Sequence, residues 1–280
     1  MKIDAEYMLT PVKPPPGFNP AELIAKANEE IGKYTALLVT GDGRISSGTL
    51  VNACGFYGIL TAHHVAKVIF EFPEFAIAPS ERNPTSLWPK SEHLQHVILG
   101  KAPESEEQNG PDLSFMIIRD FNLIETLRSL KSFYYLEASN TSYFNLETHK
   151  MTWAISGSPA EAKELIQPNY KGGPLTKLRN FVGETTYHSR TVRNDFDYIE
   201  LKCLCGVANY PKNYKGVSGG GFWLLPMLFD SNQQIVHGAP ILAGVAFYQT
   251  DPPVNSERII TGHGYDSIYT KLIQTLKELK

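Results

Sequence analysis

Residues 212–226 read KNYKGVSGGGFWLLP, and how this stretch folds decides the architecture of the chain. A serine in a Gly-X-Ser-X-Gly setting, as in Gly216-Val217-Ser218-Gly219-Gly220, suits a sharp turn from a strand into a helix. The flanks oppose that arrangement. NYPKNYK (209–215) is a poor strand, and GGGFWLLP (219–226) is a poor helix, because glycine and proline both disfavour helix interiors. The apolar run FWLLPML (222–228) reads as a strand instead, so Ser218 sits in a glycine-rich loop that feeds a sheet.

Working outward, the same texture recurs. TALLV (35–39) precedes the turn signal Gly41-Asp42-Gly43. SGTLVNA (47–53), a glycine-containing turn and GILTA (58–62) follow it. LSFMII (113–118), KMTWAIS (150–156), DYIELKCLC (197–205) and ILAGVAFY (241–248) complete the strand candidates. Many short strands parted by turns predict a barrel or sandwich. Helices are expected only near the ends. After the proline-rich LTPVKPPPGF (9–18), Asn19 can cap a helix that starts with Pro20. Near the C-terminus, Ile268, Leu272, Ile273, Leu276 and Leu279 fall at helical spacing. Residues 79–111, rich in Pro, Ser, Glu, Lys and Asn, read as one long exposed excursion, which a mobile lid would explain.

Length and composition fit a globular chain with a sizeable core. There are 280 residues, 42% of them hydrophobic and 20% charged. A net charge of -3 asks for neither a nucleic-acid nor an acidic-membrane partner. No stretch approaches a membrane span, and the first residues lack the pattern of a secretory signal. Three cysteines, Cys54, Cys203 and Cys205, form no disulfide framework, so a cytoplasmic protein is expected. Cys203 and Cys205 with His93 and His96 would make a zinc set, but two cysteines two apart on a strand read better as buried thiols. No metal and no organic cofactor is expected.

Three segments carry chemistry, in this order: Leu60-Thr61-Ala62-His63-His64-Val65, Asp112-Leu113-Ser114-Phe115-Met116, and the loop around Ser218. A serine hydroxyl is a weak nucleophile until a histidine accepts its proton. An acid then holds the imidazole's tautomer and stabilises the imidazolium. Backbone N–H groups must meet the developing oxyanion, and glycines let the chain aim them.

These segments resemble the signatures of the trypsin/chymotrypsin-like serine peptidases: Thr-Ala-X-His, Asp-Leu-Ser-apolar and Gly-X-Ser-Gly-Gly, in that family's order. The resemblance covers most of residues 34–275 and leans toward bacterial Deg-type relatives. It implies an all-β fold of two six-stranded Greek-key barrels, with short N- and C-terminal helices. The implied organisation is an N-terminal extension and helix (1–33), a first barrel (34–140) and a second barrel with the C-terminal helix (141–280). It further implies a serine endopeptidase with His64 as general base, Asp112 as orienting acid and Ser218 as nucleophile. His63 would be a neighbour without a catalytic role, and Asp120 is the alternative acid. The N–H groups of Gly216 and Ser218 would form the oxyanion hole. Lys212 would sit at the base of the specificity pocket and disfavour basic side chains, and Phe247, Tyr248 and Gln249 would line the substrate cleft. Val217 stands where zymogen-type members carry Asp, so activation by N-terminal cleavage is not expected.

The implied partners are a protein or peptide substrate and an activating or targeting protein. Two alternatives stay open at this point. One is a protease-like chain that is inactive, or latent until a partner binds. The other is an α/β-hydrolase-type esterase using Ser218 with Asp230 or Asp251 and His237 or His263.

Overall fold

The computed structural model describes residues 20–78, 87–103, 109–136, 151–162, 164–166, 175–177, 179–229, 235–251 and 253–280. Helix α1 (Pro20–Gly32) leads into a first sheet of seven strands. These are β1 (Thr35–Thr40), β2 (Ile45–Ala53), β3 (Phe56–Thr61), β4 (Phe75–Ala78), β5 (Leu94–Lys101), β6 (Asp112–Ile118) and β7 (Tyr134–Leu136). Helix α2 (His63–Phe70) follows β3, and α3 (Phe121–Leu130) follows β6. The remaining strands are β8 (Thr152–Gly157), β9 (Glu164–Ile166), β10 (Leu175–Lys177), β11 (Phe181–Arg193), β12 (Phe196–Leu204), β13 (Gly221–Leu225), β14 (Met227–Phe229), β15 (Ile235–His237), β16 (Ile241–Gln249) and β17 (Glu257–His263). A helical segment starting with a π-helical stretch (Ser267–Leu272) and continuing as α4 (Ile273–Glu278) ends the chain.

Both halves use one plan. The first sheet runs β4-β1-β2-β3-β6-β5, with β7 added beside β2. The second runs β13-β8-β11-β12-β17-β16, and there the last strand pairs with the first to close a barrel. Counting strands within each half, without the small β9–β10 and β14–β15 pairs, the order is the same 4-1-2-3-6-5. All pairings are antiparallel except β2 with β7. The expected all-β, chymotrypsin-like double barrel is therefore present, with its first half open between β4 and β5.

Local sequence explains the tight links. Cys54 and Gly55 take positive φ (52° and 81°) in the two-residue turn that joins Ala53 to Phe56. Asn194 and Asp195 (49° and 61°) do the same between Arg193 and Phe196, residue types that tolerate this region. Inside the first half, Leu38, Leu50, Ile59 and Phe75 pack with Val65 and Ile69 of α2 and with Leu123 and Leu127 of α3. A second apolar cluster runs from Leu60 and Phe115 of the first half through Trp153, Phe222, Trp223 and Leu224 of the barrel. It ends on Ile268, Leu272 and Leu276, the predicted C-terminal helical face; Leu279, also placed on that face, is exposed.

Several expectations need correction. Residues 79–111 are not one excursion, because 94–101 form β5, paired to β6 along its length. As an edge strand buried only in part, β5 keeps polar residues such as Gln95 and His96, which masks its period. The long strand β11 and β17 were not expected either, nor were α2 and α3. β11 alternates burial only over its first residues and then runs out as an exposed hairpin, so it lacks apolar alternation. The proline-rich segment and Asn19 lie outside the described residues. Among the described residues no helix is long and apolar enough to cross a membrane.

Candidate active site

His64 lies in the first turn of α2, whose N-cap residue, Ala62, has no side chain able to cap it. Asp112, the first residue of β6, supplies that cap from outside the helix. Its Oδ1 accepts the His64 backbone N–H at 2.9 Å and its Oδ2 accepts from His64 Nδ1 at 2.5 Å. One carboxylate thus fixes both the backbone and the ring of His64. With the Nδ1 proton held on Asp112, Nε2 is the basic nitrogen. Burial pushes the Asp112 carboxyl upward, but the hydrogen bonds and charge of His64 outweigh it, and the net shift is downward. The acid is buried, while the His64 side chain is 39% exposed.

Behind this pair lies a second histidine. The Asp112 backbone N–H donates to His263 Nε2 at 2.8 Å. His263 is wholly buried among the rings of Phe196, Tyr198 and Phe247. Burial lowers its pKa to about 4, against the opposing charge of Asp112, so it stays neutral. In the sequence, His263 stands out only as a candidate base of the esterase alternative. Its adjacency to Asp112 depends on β17 meeting β6 across the two halves, which no local motif announces.

Ser218 enters from the second half, in the loop before β13. Its Oγ–H donates to the Phe247 carbonyl at 3.4 Å, a long bond, and no hydrogen bond joins it to His64 among the described residues. Three amides of the Gly216–Gly220 loop are bonded. Val217 N–H donates to Tyr214 O, Gly219 N–H to Ala246 O and Gly220 N–H to Val217 O, at 3.0, 2.7 and 2.7 Å. The N–H groups of Gly216 and Ser218 stand apart: neither has an acceptor among the described residues. The carbonyl of the Lys215–Gly216 peptide accepts from Ala160 N–H at 2.7 Å, so the opposite edge of that peptide, the Gly216 N–H, is turned away from Ala160. Gly219, at φ 86°, has room for no side chain, since a Cβ would fall onto the Ser47 carbonyl and the Thr61 hydroxyl.

A cavity of about 210 Å³ opens beside Ser218, between Tyr214 and Val217 on one side and Phe247, Tyr248, Gln249 and Ile260 on the other. The three cleft residues expected from sequence therefore line it, with Gln249 Oε1 accepting the Tyr214 N–H at 2.9 Å. Lys212 is placed differently. Its side chain is exposed, and its backbone is what is engaged, through its N–H to Glu161 and its carbonyl to Arg258. The lysine of the cavity is Lys215.

Other candidates take structural places. Asp120 caps α3 through the N–H groups of Asn122 and Leu123 and pairs with His93, so it stands outside the His64 cluster. His63 turns away from the site: its Nδ1 lies 3.0 Å from Ser114 Oγ, which His96 Nε2 meets at the same distance from the other side. His93 and His96 belong to the first half, and Cys203 and Cys205 are buried in the second as free thiols. The esterase alternative fails on topology, because Ser218 leads into an antiparallel strand, β13, and Asp251 is paired with Arg258. Of its other members, Asp230 lies outside the described residues.

No protein-family model matches the chain, and no curated sequence matches it either. Solved structures do match. The Drosophila Grass clip serine protease of the Toll pathway is similar over 89% of this chain and 70% of that one, at a TM-score of 0.53 and 12% identity. The thermostable serine protease AL20 from an extremophilic microorganism has a TM-score of 0.46 at 13% identity, over 86% of this chain and 95% of that one. The HtrA-type protease AlgW with tripeptide has a TM-score of 0.43 at 16% identity, over 91% and 62%. The chain has the trypsin/chymotrypsin-like serine-peptidase fold.

Proposed function

We propose that the chain is a serine endopeptidase that cleaves peptide bonds through an acyl-enzyme on Ser218. The observation that carries this reading is the pair of N–H groups at Gly216 and Ser218, without an acceptor among the described residues in a loop whose neighbouring amides are bonded. Amides in that state are donors held ready for an oxyanion, a source of transition-state stabilisation that a binding-only loop has no need of. In the proposed reaction Ser218 Oγ turns from Phe247 and bonds to the scissile carbonyl carbon. Its proton passes to His64 Nε2 and then to the leaving amine. Asp112 holds the imidazolium, and water releases the acyl group by the same steps in reverse.

A lean against basic side chains is part of the proposal. Lys215 pairs with no acidic side chain among the described residues, whereas the cavity's acid, Asp251, is held by buried Arg258. The three free cysteines support a reducing, cytoplasmic setting. The Ser218–Phe247 bond favours a second reading, in which the site rests until a partner protein turns the serine toward His64.

Labelling with a fluorophosphonate probe, read by intact mass, tests the activity. One adduct is expected on the wild type and none on Ser218→Ala. A folded wild type that takes no adduct at any pH would remove the endopeptidase reading and leave the resting one. A reporter series in which Lys or Arg is cleaved in preference to all other residues would overturn the specificity.

A further inference from the structure

We infer that Ser47 is a positioning residue that holds the oxyanion hole in its working shape, from the half of the molecule that does not carry the nucleophile. The inference rests on the endopeptidase reading for its catalytic meaning, though not for its geometry.

Ser47 lies on β2, fully buried, in a stretch that reads from sequence as ordinary strand. Its hydroxyl accepts the Ser158 N–H at 2.9 Å and lies 2.7 Å from the Gly216 carbonyl. The polarity is forced. An amide N–H can only donate, so the hydroxyl proton goes to Gly216 O. Its backbone N–H donates to the Ser218 carbonyl at 3.0 Å. One residue thus grips the carbonyls at both ends of Gly216–Ser218, the tripeptide whose two outer N–H groups have no acceptor among the described residues.

The tripeptide's other bonds, Val217 N–H to Tyr214 O and Gly220 N–H to Val217 O, stay within its own loop. Val217, between the gripped carbonyls, is apolar and buried, so its side chain supplies no ion pair to anchor the loop. Gly216 sits at φ 91° and as a glycine has other backbone conformations open to it. Among the described residues, rotation of the peptides about it is opposed by the Ala160 bond to the preceding carbonyl, by the Val217 N–H bond to the Tyr214 carbonyl and by the Ser47 bond to its own carbonyl, the one of the three that comes from the other half. The Ser47 carbonyl in turn accepts from Thr61 Oγ1 at 2.8 Å, and Thr61 ends the strand that delivers His64. The serine loop and the histidine helix are therefore referenced to one residue. Ser47 touches no reacting atom, and it acts through the direction of two N–H groups.

The test is Ser47→Ala beside Ser91→Ala. Ser91 is a buried serine whose hydroxyl bonds the carbonyls of Ile69 and Phe72, away from the loop, so it controls for loss of a buried hydroxyl. For Ser47→Ala, kcat on a peptide reporter should fall roughly tenfold to a hundredfold, less than for loss of an oxyanion donor outright. KM and the pH profile should stay put, and binding of a peptide aldehyde, whose adduct needs the hole, should weaken in step with kcat. Ser91→Ala should leave all of these unchanged. Independently of turnover, the amide signals of Gly216 and Ser218 in nitrogen-15 spectra should shift in Ser47→Ala and hold still in Ser91→Ala. If Ser47→Ala does not fold, Ser47→Cys, with a weaker donor of similar size, should show the same effects at smaller size. Unmoved amide signals, or a kcat equal to wild type, would overturn the inference. Shifted amides in a protein that takes no fluorophosphonate would sustain it and sink the endopeptidase reading instead.

Discussion

The two halves of the molecule share a strand order and differ in closure. In the second, β16 pairs with β13 and the ladder returns on itself. In the first, β4 and β5 end the path, and β4 instead meets residues just before β5, through bridges at Ile77–Leu87 and Glu74–Lys90. Closure leaves no strand edge and constrains every loop between paired strands. The candidate chemistry divides along the same line. The loop around Ser218, with the Gly216 and Ser218 amides, enters the closed barrel. The acid–base pair sits on the open half, where a helix cap fixes it. The difference teaches that the His64 side chain takes its position from a cap, whereas the serine loop takes its backbone from a closed barrel braced by Ser47 of the open half.

The largest expected effect tests the open half. Asp112→Asn keeps the shape of the carboxylate but presents an amide to Nδ1, which disfavours the tautomer that leaves Nε2 basic. A loss of about 10⁴-fold in kcat is expected, with little change in KM. Steady-state kinetics check it, and a loss below tenfold would detach Asp112 from catalysis.

Next comes a paired truncation. Leu224 of β13 is fully buried in the closed barrel, and Ile98 of β5 is 52% exposed on the open edge. Leu224→Ala should cost about 2–5 kcal/mol in urea unfolding and Ile98→Ala about 0.5 kcal/mol or less. Similar costs for the two would erase the contrast between closed core and open edge.

The third prediction uses the histidine that joins the halves. The folded-state pKa of His263 is lowered to about 4 by burial, against an unfolded value near 6.5. Between those values the unfolded chain binds a proton that the folded one refuses. Stability therefore falls as pH drops through that window, by up to about 3 kcal/mol in total for this residue. His96, on the open half, is lowered to about 4 as well, by burial and then by the charge of His63, but it is partly exposed and so contributes less. His263→Gln should flatten the decline in thermal midpoint from pH 6.5 to 4 more than His96→Gln does. The reverse order would place the acid-sensitive group on the open half.

Much of this was readable in one dimension. Strands β1, β2, β3, β6, β8, β12, β13 and β16, each with neighbours on both sides of the sheet, announce themselves as apolar runs; β17 is as central but holds only two apolar residues, Ile259 and Ile260, among Glu, Arg, Thr, Gly and His. β5 and the outer part of β11 do not announce themselves either. An edge strand and a projecting hairpin meet solvent and have no apolar period to show. Helix α2 was missed for a different reason: the carboxylate that caps it belongs to Asp112, 48 residues further on.

By itself, then, the sequence determined the all-β class, the residue types of the candidate site and their order, since these rest on local alternation, on glycine and on short motifs. Tertiary structure alone decided that Lys215 rather than Lys212 lines the cavity, that His263 backs Asp112, and that Ser47 reaches the serine loop. Each is a contact between segments distant along the chain. Such contacts leave no local trace, because a buried hydroxyl or imidazole acquires its role from whichever strand the fold lays against it.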